Sequence, residues 1–281
     1  MVDIAPITIG DLADVGAFLH VHLNRRVSAA DWIRAVDVPW EADRPNFGFQ
    51  LRLEDSTLGG VLLAFYSERV IRGRVERICN LGAWCVLPEH RAHSFRMLRA
   101  ALAQPGYTFT DLSPSGAVVP LDERLGFTRL DTSVQLVPCL PLPTGRTTVV
   151  DDSESIEGLL DTEQLRIYRD HRGAAAAHHV VLRREGHNCY VVYRQDRRRN
   201  IPAFVSVLYV SDPQRFRLSL NAFGSHVLRR RQGVALLLEE RIVGRLFIAR
   251  HLAGRPKMFK SAAIGPADID NLYSELTCVA W

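Results

Sequence analysis

The chain has 281 residues, of which 47% are hydrophobic and 23% charged, with a net charge of +4. It is long for one domain and comfortable for two, and apolar enough to exclude intrinsic disorder. Its mild basic excess includes clusters at 197–199 and 229–231, but no zinc or aromatic-rich motif accompanies them, so no nucleic-acid partner is expected.

Five cysteines (Cys79, Cys85, Cys139, Cys189 and Cys278) show neither C-x-x-C nor zinc spacing. Residues 1–10 contain Asp3 and lack the basic-then-apolar order of a signal peptide. No apolar run is long enough for a bilayer. These features predict a cytoplasmic, reduced protein with no membrane partner.

In chain order, residues 4–9 read as a strand. Residues 12–24 read as a helix, with Val15, Phe18, Leu19 and His22 at helical spacing. Ser28 is a good cap for a second helix. Strands follow at 47–53 and 58–67, then a polar connection at 69–74 containing Gly73. The strand predicted at 75–87 is central, and alternation puts Glu76, Ile78, Asn80, Gly82 and Trp84 on one face. Gly82, inside that strand, is a candidate bulge. A helix is predicted at 93–103, with Phe95, Leu98 and Leu102 on its apolar stripe and Pro105-Gly106 as its stop. Then come a strand at 107–112, a helix at 118–125 ended by Gly126, and a strand at 128–138. The last of these completes a sheet of antiparallel hairpins with one parallel pair.

The proline-rich segment 139–146 reads as a linker between units 1–138 and 147–281. The second part repeats the order of the first: a strand at 147–150, a helix at 156–169, and strands at 180–183, 188–193 and 203–211. The turn Asp212-Pro213-Gln214-Arg215 then opens another helix. A strand at 234–238 and a closing segment at 268–276 complete it.

Three short runs carry a resemblance. Val86-x-Pro88-x-x-Arg91 ends the central strand, Leu125-Gly126-Phe127 follows the later helix, and Leu272-Tyr273-x-x-Leu276 lies near the end. Together they resemble the GCN5-related N-acetyltransferase superfamily, in a tandem form with degenerate motifs. Ser94 and Arg96 stand where that family usually has glycines, and Asp122 stands at its usual tyrosine position.

The resemblance implies an α/β (α+β) fold of two tandem acyl-CoA N-acyltransferase-like domains. Each would be a mixed, mostly antiparallel sheet flanked by helices. It implies acetyl-CoA or another acyl-CoA as co-substrate and a small-molecule acceptor bearing an amine. The cofactor would lie along Trp84, Cys85 and Val86. Its pyrophosphate would meet Arg91 and the helix-start amides of Ala92, His93, Ser94, Phe95 and Arg96. Glu76 would take the proton of the amine, and Tyr273 would protonate the leaving thiolate.

Read without the resemblance, the same residues describe an ordinary helix start, a polar strand position and a packed tyrosine. A non-catalytic relative that binds a ligand or partner is the alternative function. His90 and His93 have a spacing a metal could use, but no further ligand stands nearby, so no metal is expected. The sequence carries no signal for an oligomeric state.

Overall fold

The computed structural model describes residues 2–38, 40, 42–198, 201–230, 232–246 and 249–281. The end of the expected 197–200 loop and Arg231 of the second arginine cluster lie outside these residues.

The chain opens with β1 (Asp3–Pro6), α1 (Leu12–His22) and α2 (Ala29–Val36), then β2 (Gly48–Arg52), β3 (Leu58–Ile71) and β4 (Arg74–Val86). The side chain of Ser28 caps α2 by accepting from the Asp31 amide at 3.1 Å. The expected polar connection 69–74 is instead a two-residue turn. β3 runs on to Ile71, and Arg72 and Gly73 both take positive φ, 52° and 77°. That pair matches the twist of a hairpin, so the ladder extends to its tip.

A 3-10 helix (Pro88–His93) leads into α3 (Ser94–Leu102), followed by β5 (Thr108–Asp111), α4 (Val119–Arg124) and β6 (Thr128–Arg129). α3 buries Met97, Leu98 and Ala101, whereas Phe95 is 38% exposed. The 3-10 lead-in turns Phe95 outward from the stripe predicted for it.

Next come β7 (Val134–Pro138), β8 (Thr147–Val150), α5 (Ser153–Glu157), α6 (Thr162–His171), β9 (His178–Arg184), β10 (His187–Arg198) and β11 (Ile201–Val210). α7 (Pro213–Leu218), α8 (Leu220–Arg229), β12 (Ala235–Glu239), α9 (Glu240–Val243) and β13 (Arg250–Leu252) follow. β14 (Met258–Lys260) and α10 (Glu275–Cys278) end the chain.

The chain divides into two units, each built on its own seven-stranded sheet. The first comprises Met1–Leu130, Pro256–Ile269 and Tyr273–Trp281, and the second Asp131–Arg255 with Asp270–Leu272. The first sheet has the order β1-β2-β3-β4-β5-β14-β6, and only β4 and β5 run parallel. The second has the order β13-β7-β12-β11-β10-β9-β8, and only β11 and β12 run parallel. Both are mixed, mostly antiparallel sheets flanked by helices, as the resemblance implies.

The expected division into 1–138, a linker at 139–146 and 147–281 differs from this in two places. β7 belongs to the second sheet, where Val134–Pro138 pairs with β12. Its place in the first sheet is taken by β14, which pairs Met258 with Asp111 of β5 and Arg129 of β6. The physical cause is pairing at long range, because no local pattern states which edge a short apolar strand will join.

In the second unit, His179 is partly buried on β9. Its Nδ1 accepts from the Tyr190 hydroxyl at 2.8 Å, Nε2 faces the His171 carbonyl at 3.3 Å, and Tyr168 meets it edge-on. Burial pushes its pKa down to about 4 from 6.5. The unfolded chain therefore binds a proton between those values that the folded chain refuses, and stability falls as pH drops from about 6.5 towards 4. At 1.36 kcal/mol per unit the loss reaches about 2–3 kcal/mol near pH 4.5. Urea unfolding at about pH 7.5 and 4.5 should show this loss in the wild type and a much smaller one in His179→Gln. Equal losses in the two proteins would refute it.

Candidate active site

β4 is the strand from which the site is built. Its pairing with β3 continues to Gly60–Val86, but its pairing with β5 stops at Leu81–Asp111. From Gly82 to Val86 one edge of β4 is therefore left unpaired by β5, and a wedge opens between the two strands. A register shift between Val61 and Leu63 marks a bulge in β4, and Ala83 takes φ of 49° there.

The bulge reverses the alternation. Trp84 lies not with Asn80 and Gly82 but against the core cluster that contains Leu81, Met97 and Leu98. One extra residue is enough to do this, because side chains alternate with period two. Cys85 is half-buried, and burial raises its thiol above the usual range despite the nearby Arg91 charge. It is a poor nucleophile there.

The segment expected as an open phosphate loop is regular. Leu87 donates its amide to Gly59 O, His90 to Leu87 O and Ser94 to Arg91 O. Without glycine at Ser94 or Arg96 the chain has no reason to leave right-handed helical angles. His93 and Ser94 both adopt them. The Ser94 amide is thereby already used. Arg91, Ala92, Phe95 and Arg96 remain exposed. Among the described residues Arg91 forms no ion pair, while Arg96 contacts His93 Nδ1 at 3.3 Å. The His90 ring lies beside β3, where a Cβ added at Gly59 would come 2.9 Å from His90 Cδ2.

The end of the chain supplies the other wall. Tyr273 and Glu275 belong to the first unit, the same unit as Glu76. Residues 272–276 do not form one continuous helix. Tyr273 has φ of 54°, Ser274 caps the short α10, and Glu275 is its first residue. A positive φ is rare for so bulky a residue and breaks the helical run at that point.

The Tyr273 ring is buried, edge-on to Trp40 with centroids 5.1 Å apart, and 5.2 Å from the Arg69 guanidinium. Arg69 stands directly opposite Glu76 across the ladder. Arg69 thus stands between the two in the sense that it faces the Tyr273 ring and pairs with Glu76 in the ladder. Gly82 is six residues farther along β4 than Glu76, roughly 20 Å at the rise of a strand.

Glu275, which sequence reasoning missed, spans the wedge. Its amide donates to Asn80 Oδ1 at 3.2 Å, and its Oε1 accepts from Ser113 Oγ at 2.5 Å. A Cβ added at Gly82 would lie 3.1 Å from its Cβ, Cγ and Cδ. A glycine inside a strand signals such a close approach. That signal was present in the sequence, but the residue that approaches lies 193 positions away.

Two more carboxyls of the first unit are buried. Asp111 ends β5 and accepts from the Ser113 amide at 3.2 Å, and burial, with the charges of Asp122 and Glu275, raises its carboxyl well above the usual range. Asp122, on α4, is fully buried, and burial with the neighbouring Glu123 raises it to about 7.

No protein-family model and no curated protein sequence matches this chain. Solved structures do. A GCN5-related N-acetyltransferase from Anabaena variabilis is 11% identical, with 92% of this chain and 72% of that one covered at a TM-score of 0.59. One from Kribbella flavida is 12% identical, covering 92% and 70% at 0.53. The N-myristoyltransferase of Saccharomyces cerevisiae, solved with bound myristoyl-CoA, is 10% identical, covering 100% and 85% at 0.54. At such identities the likeness is one of fold. This chain has a two-domain α/β fold of the GCN5-related N-acetyltransferase type.

Among the described residues no group of three His, Cys, Asp or Glu side chains is arranged to hold a metal. No helix among them is long and apolar enough to cross a membrane.

Proposed function

We propose that the first unit transfers an acyl group from acetyl-CoA or another acyl-CoA to an amine-bearing small molecule. The observation that carries this reading is the unpaired edge of β4 from Gly82 to Val86, opening where β5 leaves the sheet. A pantetheine arm can add to such an edge by backbone hydrogen bonds, as an extended peptide does. The fold relative with bound myristoyl-CoA supports acyl-CoA as the ligand.

In this reading Trp84, Cys85 and Val86 present that edge. Arg91 and Arg96 meet the pyrophosphate, beside the exposed residues Ala92 and Phe95. Charge from two arginines substitutes for the close glycine-loop approach that this chain lacks. Glu76, partly exposed and opposite Arg69, stands roughly 20 Å along β4 from the wedge, so the proton of the attacking amine reaches it through a relay of water rather than directly. The amine nitrogen attacks the thioester carbon, the C–S bond breaks, and the thiolate takes up a proton. Tyr273 is the group that would supply it.

One observation favours the non-catalytic alternative. The segment Pro88–His93 is regular helix and the Ser94 amide is committed, so fewer donors remain for phosphate than in an open loop.

Thermal melting with acetyl-CoA and myristoyl-CoA tests the reading. A hundredfold excess over Kd should stabilise the protein by about 2.7 kcal/mol. Arg91→Glu should weaken binding by at least about tenfold, since a hydrogen bond to a charged group contributes roughly 1.5–3 kcal/mol. An unchanged melting curve at millimolar acyl-CoA rejects the proposal. Glu76→Gln with binding retained and turnover cut about a hundredfold would distinguish an enzyme from a binding protein.

A further inference from the structure

The unpaired edge of β4 ends at a vertex. β4 and β5 are joined at Leu81–Asp111 and part from Gly82 onward. In the acyl-transfer reading, on which this inference rests, the pyrophosphate lies at Arg91 and Arg96, beyond the far end of that edge. The arm then runs back along β4 from Val86 towards Gly82. Its thioester and acyl group arrive last, where the two strands converge.

The vertex is closed in three directions. Ahead lies the ladder itself, in which residues 78–81 of β4 pair with β5. Asn80 ties the two strands further, donating to Thr110 O at 3.3 Å and to Thr110 Oγ1 at 3.0 Å. On one face Leu81, Met97 and Leu98, none more than 1% exposed, pack in the core beside Trp84. On the other face stands Glu275. Its amide donates to Asn80, its side chain passes over Gly82, and its carboxyl meets the Ser113 hydroxyl, two residues past the end of β5. It bridges the two sides of the opening and has no exposed surface.

Gly82 is what admits this side chain. A Cβ there would stand 3.1 Å from three carbons of Glu275, so a larger residue would push it aside. Asn80 holds the Glu275 backbone and Ser113 holds its carboxyl, which fixes the side chain at both ends.

We propose that Glu275 is the floor of the acyl site and restricts this protein to short-chain acyl-CoA such as acetyl-CoA. A longer chain has no free direction. Each added methylene must displace either the anchored Glu275 side chain or the packed core, and close-packed interiors resist such insertion. A carboxyl is also a poor surface for methylenes, which strip its hydration and offer no hydrogen bond in return.

The same geometry gives a gain of binding when the floor is removed. Glu275→Ala leaves open space over Gly82. In an open apolar site each methylene tightens binding about fourfold. Damage to the fold would weaken every ligand alike, so tighter binding of a longer chain is a result that a merely structural role does not produce.

Titrations and melting shifts with CoA, acetyl-CoA, hexanoyl-CoA and myristoyl-CoA test this. Wild type should bind hexanoyl-CoA at least about tenfold more weakly than acetyl-CoA, and myristoyl-CoA more weakly still. In Glu275→Ala, hexanoyl-CoA should gain at least about tenfold over its wild-type affinity, while CoA, which carries no acyl group, stays within about threefold. Free thiol released with a simple primary amine as acceptor should show the same change of preference in kcat/KM. Glu275→Ser, which shortens the side chain but keeps a hydroxyl near Ser113, carries the test should Glu275→Ala not fold.

A wild type that binds hexanoyl-CoA as tightly as acetyl-CoA overturns the proposal alone, as does a shortened variant that keeps the wild-type order of affinities. A wild type that gives no melting shift with any of the acyl-CoAs overturns the acyl-transfer reading and this inference with it.

Discussion

A chain cut after residue 138 should fail to fold its first sheet, although those residues contain six of that sheet's seven strands. The missing piece is the end of the chain. Met258, Phe259, Ile269, Tyr273, Cys278 and Val279 are all buried in the first unit. Fully burying a large apolar side chain contributes about 1.5–3 kcal/mol, so losing these six removes roughly 10 kcal/mol. That is comparable to the whole stability of an ordinary domain, about 5–15 kcal/mol. The cut also leaves β5 with an open edge and β6 with no partner, since β14 lies between them. Near-ultraviolet circular dichroism and urea unfolding of the 1–138 fragment should show no cooperative transition. Adding a peptide of residues 256–281 should restore structure at high concentration. Cooperative unfolding of the fragment alone, with wild-type-like spectra, would contradict this account.

The second large effect is expected at Gly48, the first residue of β2. Its φ is 119°, a region that side-chain-bearing residues rarely enter. A Cβ there would stand 2.1 Å from Leu62 O, 2.8 Å from Leu63 Cα and 2.9 Å from Ala64 N, all backbone atoms of β3. None of them can swing aside as a side chain would, so β2 and β3 must separate. Backbone strain costs on the order of 1–3 kcal/mol and overpacking typically another 1–3. Gly48→Ala should therefore destabilise the first unit by about 3–5 kcal/mol, read as a fall in the urea midpoint. Because β3 also sets the bulge of β4, the acyl-CoA melting shift should shrink with it. A loss below about 1 kcal/mol would show that the ladder tolerates the change.

Much of the fold could be read from local pattern. The central strand, the helix after Pro88, the helix ended by Gly126 and the strand at 147–150 all lie within a few residues of their predicted bounds. Such elements are stated by alternation, helical spacing, caps and breakers, which act between near neighbours. The resemblance to acetyltransferases was legible for the same reason, since Val86, Pro88, Arg91 and Leu125-Gly126-Phe127 are short runs. Even the departures could be used. The absence of glycine at Ser94 and Arg96 accounts for the regular helix found there, and Asp122 already stood out at a tyrosine position.

What local pattern could not state is which distant segments meet. β7 carries a strand-like sequence, but nothing in it says that it joins Ala235–Glu239 rather than β5. Met258–Lys260 is only three residues long, and its role as the strand between β5 and β6 exists because those two edges are free. The wedge at Leu81–Asp111 arises from where a ladder stops, and the turning of Trp84 from one extra residue at Ala83. Glu275 reaches Gly82 and Asn80 only after the end of the chain has folded back into the first unit. Near-neighbour chemistry writes the elements, whereas the pairing of free edges and the burial of Glu275 against Gly82 and Asn80 depend on contacts between segments far apart in the chain.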